Sequence, residues 1–543
     1  MDPLQSRLTN HPLADLLRTV SHEAFRLSVE AYVVGGFVRD LILDRDTTDV
    51  DFVTLGEGSG ARLASAVARA TGGHTIHIYE TFGTAAIRIP VSDSTAVFEF
   101  VAARRESYRK DSRNPVVEVA TRDEDLERRD FTVNAMALDL HPDRFGRLVD
   151  VFGGVQDLID GLLRTPLDPD RTFDDDPLRM VRAARFSAQL QFSIDEAALD
   201  AMRRQADRIT IVSIERVTEE LQKIMSTSRP SLGLRPLEET GILRHILPEL
   251  SALRGVEAVD GHKHKDNFYH TLQVVDNLVD AVYDRPAPET LWLRWAALLH
   301  DIGKPRTKRF IQGTGWTFHA HEEIGARMVR KVFERLRLPT DHRVEEVEHL
   351  IRLHHRPVAL VDDSVTDSAV RRLVFDAGDA IDDLMRLVRA DITSKNPAKV
   401  RRYLGAFDRV DEKIVEVEAK DRLRHFQPPV DGHEIMQVLG IGEGLAVGIV
   451  KTAIREAILE GEIPNEHDPA FDYMMRIKED ALRRGRLYNE VVRRLRDPEK
   501  RSSGPIPVGP IKEAVTTAVL PDDDEIAVRW LLRVREPLDE RET

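Results

Sequence analysis

Cysteine is absent from all 543 residues, which excludes disulfides, thiolate zinc sites, iron–sulfur clusters and cysteine nucleophiles. Long apolar runs are missing too. None approaches the ~18–20 residues that span a bilayer, so no membrane partner is expected. The N-terminus, Met1-Asp2-Pro3-Leu4-Gln5-Ser6-Arg7, carries an early acid and leads into no apolar stretch, which argues against a secretory signal. Excess positive charge is also lacking: 78 Lys and Arg stand against 93 Asp and Glu, a net −15. That excludes a generally basic nucleic-acid coat, although a local basic stripe would suffice for a nucleic-acid substrate. No repeat of fixed period is present. What remains, 42% hydrophobic and 31% charged, describes a soluble, cytoplasmic, helix-rich chain of about three to four domains.

Residues 1–30 read as a helical lead-in. Between Ala31 and Asp150, β-branched runs (Ala31–Val34, Asp49–Val53, Ala85–Ile89, Ala96–Phe100) alternate with Gly and Pro punctuation and helical segments such as Ala61–Ala70. This predicts a small α/β domain. After Pro166 strand signals stop and helical period takes over. Ser502–Pro510 has linker composition, and the tail beyond it is expected to hold one short helix near Ile526–Val534.

Val34-Gly35-Gly36-Phe37-Val38-Arg39-Asp40 leads from a strand through two glycines into a helix. Such a turn lets backbone approach a ligand, and the helix start favours an anion. Asp49-Val50-Asp51 follows on a strand, where residues two apart share a face. Two carboxylates so placed can hold Mg²⁺ ions that also bind substrate phosphates. Glu99, on a later strand, is the third carboxylate. Arg128-Arg129-Asp130-Phe131-Thr132-Val133-Asn134 offers guanidinium forks for triphosphate oxygens. Asp175-Asp176-Pro177-Leu178-Arg179 opens a helix that runs on through Arg182, with Asp176 and Arg179 three apart on one face. Asp supplies only acceptors and Arg only donors. A fixed pair therefore matches the donor–acceptor edge shared by cytosine and adenine and leaves guanine and uracil mispaired.

These segments, with the strand entry Phe82-Gly83-Thr84 between them, resemble the class II nucleotidyltransferases: bacterial CCA-adding tRNA nucleotidyltransferases and the related bacterial poly(A) polymerases. The resemblance covers about residues 30–250. It implies that Asp49 and Asp51 are the catalytic carboxylates that bind Mg²⁺, with Glu99 beside them as the third catalytic acid. It also implies that Gly35, Gly36, Arg39 and Asp40 form the nucleotide loop. Arg128, Asp130 and Asn134 would handle ribose and phosphates, and Asp175, Asp176, Arg179 and Arg182 the incoming nucleotide. The first acid of the base-reading motif is often Glu in CCA-adding enzymes and is Asp175 here.

Ten of the 19 histidines fall between His262 and His355, where an even spread would put about three. His270, His300-Asp301, His321, His354-His355 and Asp391 combine imidazoles with carboxylates, a borderline donor set suited to Mn, Fe, Ni, Co or Zn. Lys304, Arg306, Lys308 and Arg309 follow directly and could hold phosphate. The pattern resembles an HD-type metal-dependent phosphohydrolase. That resemblance implies one metal on His270, His300, Asp301 and Asp391, and a second on His321 with His354 or His355, with Ni, Mn or Co as the expected ion. A later segment contains Gly440, Gly442, Gly444 and Gly448, for which tight helix packing is the favoured reading.

The expected fold is therefore α+β: a small mixed-sheet nucleotidyltransferase head (31–165), a helical neck (166–254), an HD domain (255–420), a helical C-terminal body (421–500) and a linker and tail (501–543). The expected function is template-independent addition of C and A to the tRNA 3′ end from CTP and ATP, with HD hydrolysis of RNA ends. The alternatives are poly(A) polymerase, partial (CC- or A-only) addition, and an HD phosphohydrolase with an RNA-binding head. Arg182, Arg185, Arg203, Arg204 and Arg208 are the candidate basic stripe for tRNA. The sequence leaves the oligomeric state open.

Overall fold

In a computed structural model the described residues are 3–79, 84–91, 94–107, 116–259, 262–263, 265–361, 366–394, 396–421, 427–496 and 508–534. Phe82, Gly83, His264 and residues 502–507 lie outside them. The chain divides into two compact units, Met1–Arg352 and Leu353–Thr543.

The first unit opens with helices Pro3–Asn10 and Ala14–Arg26. Nine strands follow: β1 Ala31–Val34, β2 Asp49–Thr54, β3 His74–Tyr79, β4 Thr84–Val91, β5 Ser94–Ala102, β6 Arg104–Ser107, β7 Val116–Val119, β8 Met136–Asp139 and β9 Leu148–Asp150. Seven of them form one sheet in the order β3-β4-β5-β2-β1-β8-β9, and β6 pairs with β7 as a separate hairpin. Only β2 and β5 run parallel within the large sheet; its other pairs are antiparallel. Period-2 alternation explains its two faces. Val50, Phe52, Phe98 and Phe100 are buried, and Phe52 stacks on Phe100 with ring centroids 4.5 Å apart. The helix Ser59–Thr71 packs on β4 and β5 and buries Leu63, Ala64 and Val67. The opposite face carries the alternate residues Asp49, Asp51 and Glu99, all exposed.

The neck is built on Leu178–Leu190, which packs against Ile214–Met225 and Ser231–Glu239. Gly233 permits this closeness, because a Cβ there would stand 2.9 Å from the Ala184 carbonyl oxygen. Helices Asn267–Ala281, Ala287–Leu299, His321–Arg335 and His342–Leu353 follow. The expectation that strands end at Pro166 needs correction. A hairpin pairs Arg309–Ile311 with Gly315–Thr317, too short for a periodicity window to register.

Among its described residues the second unit carries helices and no strand. Its tail differs from the expected linker with one helix. Val508–Thr517 and Asp524–Leu531 are both helices, and Ile511, Val515, Val528 and Leu531 bury against Leu487 and Val491. The Gly and Pro near 505–510 masked an apolar i, i+4 pair, Ile511 and Val515. The glycine-rich stretch also departs from expectation. Around Gly440, Gly442, Gly444 and Gly448 there is open space, whereas at Gly485 a Cβ would meet the Ala446 Cβ at 2.9 Å.

Candidate functional site

Two separate clusters of chemistry-bearing side chains lie in the first unit. The first sits on the open face of the head sheet. β2 and β5 pair with Asp51 opposite Glu99, which brings the third carboxylate beside the first two. Displaced water pushes the Asp51 carboxyl up; Arg129 pulls it down and Asp49 adds to the rise. Partial loss of water around its carboxyl raises Glu99, although the residue keeps exposed surface, and Asp51 and Asp49 add to the rise. Gly35 closes β1 with φ +73°, and a Cβ there would lie 3.2 Å from Asp51 Oδ2 and 3.1 Å from Arg129 Nη1. The left-handed backbone and the crowding both demand glycine.

A chain of hydrogen bonds joins the other candidates. Arg39, 4% exposed, donates to both Asp40 oxygens (2.9 and 2.8 Å) and to Asn134 Oδ1 (2.8 Å). Asn134 donates to Asp130 Oδ1 at 3.0 Å. Arg182 donates twice to Asp130 Oδ2, at 2.9 and 2.6 Å. Burial pushes the Asp130 carboxyl up, but Arg182, Asn134 and Arg179 overcome it and hold its pKa at about 2. The Phe186 ring lies beneath three guanidiniums, with Arg39 and Arg182 at 5.3 Å and Arg185 at 3.9 Å from its centroid.

Sequence reasoning missed two residues here. Asp125 is wholly buried and pairs with both Arg128 and Arg129. Its i, i+3 and i, i+4 spacing to them was the available signal. Glu220, also buried, holds Arg185 at 2.5 Å. Two further expectations change. Asp176 and Arg179 do not share one helix. Asp175 ends the helix Pro169–Asp175, and Asp176 is extended (φ −145°, ψ 101°) because it precedes Pro177. Its carboxylate accepts from Leu178 N and from Arg216, while Arg179 donates to the carbonyls of Arg128 (2.6 Å) and Thr172 (3.3 Å). The proposed basic stripe is paired at every position: Arg182 with Asp130, Arg185 with Glu220, Arg203 with Asp200, Arg204 with Asp170 and Arg208 with Asp174.

The second cluster surrounds Asp301. Its Oδ2 lies 3.3 Å from His300 Nε2 and 3.9 Å from His270 Nε2, and its Oδ1 lies 3.5 Å from His321 Nε2. His300 Nδ1 contacts the Ala297 carbonyl at 2.8 Å and His321 Nδ1 that of Phe318 at 2.9 Å. These backbone contacts turn both Nε2 atoms toward Asp301, an orientation suited to metal ligation. Burial lowers the His321 pKa against the pull of Asp301. Lys304 Nζ bonds Asp301 Oδ2 at 2.6 Å. Gly303 is indispensable to this packing, since a Cβ would stand 2.0 Å from the His321 carbonyl oxygen. His354, buried, His355, exposed, and Asp391 belong to the second unit.

Three family models match in chain order: the Poly A polymerase head domain over residues 31–164, the probable RNA and SrmB-binding site of polymerase A over 191–253, and the HD domain over 267–380. An A-adding tRNA nucleotidyltransferase of Deinococcus radiodurans is 33% identical, over 80% of this chain and 92% of its own. The chain belongs to the tRNA nucleotidyltransferase family. A CC-adding relative from Thermus thermophilus is 31% identical over 81% of this chain and 92% of its own. The fold is likewise that of the Thermotoga maritima CCA-adding enzyme complexed with tRNA, with TM-score 0.57 and 22% identity over 87% of this chain and 98% of that one.

Nucleotidyltransferase and HD domains both work with divalent metal ions, and the residues present fit them. Asp49, Asp51 and Glu99 form an all-oxygen set in which loss of hydration, and behind it the neighbouring carboxylates, disfavours charge on Asp51 and Glu99, so a hard cation would offset both. The Asp301 cluster is imidazole-rich. Among the described residues no helix is long and apolar enough to cross a membrane.

Proposed function

We propose that this chain adds C and A nucleotides to the 3′ end of tRNA without a template, from CTP and ATP. The observation that carries the reading is the convergence of Asp49, Asp51 and Glu99 on one sheet face beside Gly35. In the reaction the tRNA 3′-oxygen bonds to the α-phosphorus, the bond from that phosphorus to pyrophosphate breaks, and the hydroxyl proton passes to solvent water. Asp49, Asp51 and Glu99 would hold Mg²⁺, which supplies Lewis-acid polarisation of the phosphate and the hydroxyl. Gly35 and Gly36 admit the triphosphate, and Arg39, Asp130 and Asn134 orient the ribose through their shared hydrogen bonds. Asp176 and Arg179 select the base. Their anchors on Arg216, Leu178 and two carbonyls fix their direction, and several of Arg179's five donors stay available.

The HD cluster is a phosphohydrolase of RNA ends. There, water oxygen bonds to phosphorus, the phosphorus–ribose oxygen bond breaks, and a proton from water ends on that ribose oxygen. A transition metal such as Ni, Mn or Co would sit on His270, His300, Asp301 and His321 and activate the water. The parts of His355 and Asp391 in this set rest on the sequence pattern alone. A cytoplasmic setting fits the tRNA substrate and the cysteine-free composition.

The deciding assay supplies labelled CTP and ATP, separately and together, to tRNAs ending before CCA, after C and after CC. Growth of every stub to CCA is the expected result. The Deinococcus and Thermus relatives are named for A and for CC addition, so extension of only one class of stub would assign partial addition instead. Asp49→Ala and Asp51→Ala should each abolish incorporation while tRNA binding persists. Robust incorporation by either at saturating Mg²⁺ would remove the metal assignment.

A further inference from the structure

Between Asp301 and His321 the chain makes an excursion that the nucleotidyl transfer reading does not use. It leaves through the short helix Lys304–Thr307, forms the hairpin Arg309–Ile311/Gly315–Thr317, and returns through Phe318 to His321. Both ends of the excursion are candidate metal ligands, 3.5 Å apart at Asp301 Oδ1 and His321 Nε2. The contact of Gly303 with the His321 backbone pins them. The hairpin is thereby tethered at both ends to the candidate ligands.

Its composition is unusual for a short hairpin. Four cations, Lys304, Arg306, Lys308 and Arg309, are followed by three half-buried rings, Phe310, Trp316 and Phe318. Phe310 and Trp316 are cross-strand partners with ring centroids 5.3 Å apart. Lys308 Nζ lies 4.5 Å from the Trp316 centroid and 2.7 Å from Glu257 Oε1. Lys304 Nζ spans from Asp301 to a point 5.7 Å from the Phe318 centroid. Arg306 and Arg309 are exposed, and Ile311 is 44% exposed. A cross-strand aromatic pair alone would stabilise the hairpin. It would not require a cation on two of the rings, nor four cations within six residues after a candidate metal ligand.

Flat faces beside cations are what a nucleotide needs: the base stacks and the phosphates are neutralised. We propose that this hairpin is the nucleobase platform of the HD centre. The terminal base of a single-stranded RNA end stacks on Trp316, its phosphate reaches Asp301 and Lys304, and the preceding phosphates follow Arg306 and Arg309. The proposal rests on the phosphohydrolase reading above and specifies its substrate as base-bearing.

The test uses the full chain with Mn²⁺ and two phosphomonoesters, adenosine 2′-monophosphate and the base-free glycerol 2-phosphate. Trp316→Ala should raise KM for the nucleotide on the order of 10-fold, leave kcat within about twofold, and leave glycerol phosphate hydrolysis unchanged. Trp316→Phe, which keeps a ring, should restore most of the loss and shows that the position tolerates change without unfolding. An unchanged nucleotide KM in the Ala variant overturns the platform, as does an equal loss on both substrates. A second readout needs no turnover: photolabelling with 8-azidoadenosine 2′-monophosphate, with CTP and ATP filling the head, followed by peptide mapping. Label on residues 309–318 is expected. Label only elsewhere overturns the platform. Label on the hairpin without hydrolysis by any of Mn, Ni or Co would instead sink the phosphohydrolase reading and leave the platform standing.

Discussion

Replacing Gly303 by alanine should disable the Asp301 cluster and spare the head. The added Cβ would sit 2.0 Å from the His321 carbonyl oxygen and 2.8 Å from Gly325 N, both backbone atoms that cannot swing aside. Contacts of this kind need at least 3.0 Å, so the two segments must separate by about 1 Å. Overpacking of a dense interior costs ~1–3 kcal/mol, and the backbone on both sides places this case at the upper end. The displaced element is the first turn of His321–Arg335, which carries His321 Nε2 away from Asp301 Oδ1. Metal–ligand distances tolerate only about ±0.2 Å, so the shift should lower metal affinity at least about tenfold. The assay is metal retention after dialysis against Mn²⁺, read by mass spectrometry of the bound ion, beside thermal unfolding and CTP and ATP incorporation. Gly325→Ala is the control, because its Cβ would meet Ile351 Cγ2 at an ordinary 3.4 Å. Wild-type metal retention and melting in Gly303→Ala would refute the reasoning. So would loss of nucleotide addition in a folded variant.

Asp130→Asn should weaken the head by about 2 kcal/mol at neutral pH, from a carboxyl held near 2 against an ordinary 3.8. Because the folded pKa is depressed, that contribution is complete above about pH 4 and disappears as pH falls through about 2. Denaturation curves of the two proteins should therefore converge over that window, and parallel curves would contradict the assignment. Arg203→Ala, Arg204→Ala and Arg208→Ala together should leave the salt dependence of tRNA affinity nearly unchanged, since each guanidinium already has a carboxylate partner. A slope shallower by roughly one unit per residue, measured by filter binding from low to high salt, would show that they contact phosphate after all.

The chemistry of this chain was legible wherever it depends on local spacing. Asp49 and Asp51 declare their shared face by period-2 alternation. Gly35 declares a tight approach, and His300-Asp301 declares an imidazole beside a carboxylate. Residues that act through distant partners were not legible. Nothing near Glu220 in sequence announces that it meets Arg185 across two helices, and Glu99 could be ranked only by its strand. The paired state of the neck arginines was hidden for the same reason. A cation next to an acid in space looks, in sequence, like a free cation. Turn-rich composition around Ser502–Pro510 likewise concealed a helix whose apolar side needs Leu487 and Val491 to cover it. Proline moved Asp176 out of the helix that its spacing to Arg179 suggested.

The lone parallel pair in the head sheet has a consequence for how the enzyme comes into being. Asp49 and Asp51 leave the ribosome on β2, but Glu99 arrives only after β3 and β4 have been made. It can reach them only once β5 threads between β4 and β2. A partly synthesised head carries the aspartate pair without its third member, and no short-range hairpin can supply it. Pairings of such sequence separation are slow to form. Nucleotide addition should accordingly be one of the last properties a refolding chain regains, after its helices have returned, and it makes catalytic competence a report on the completed sheet.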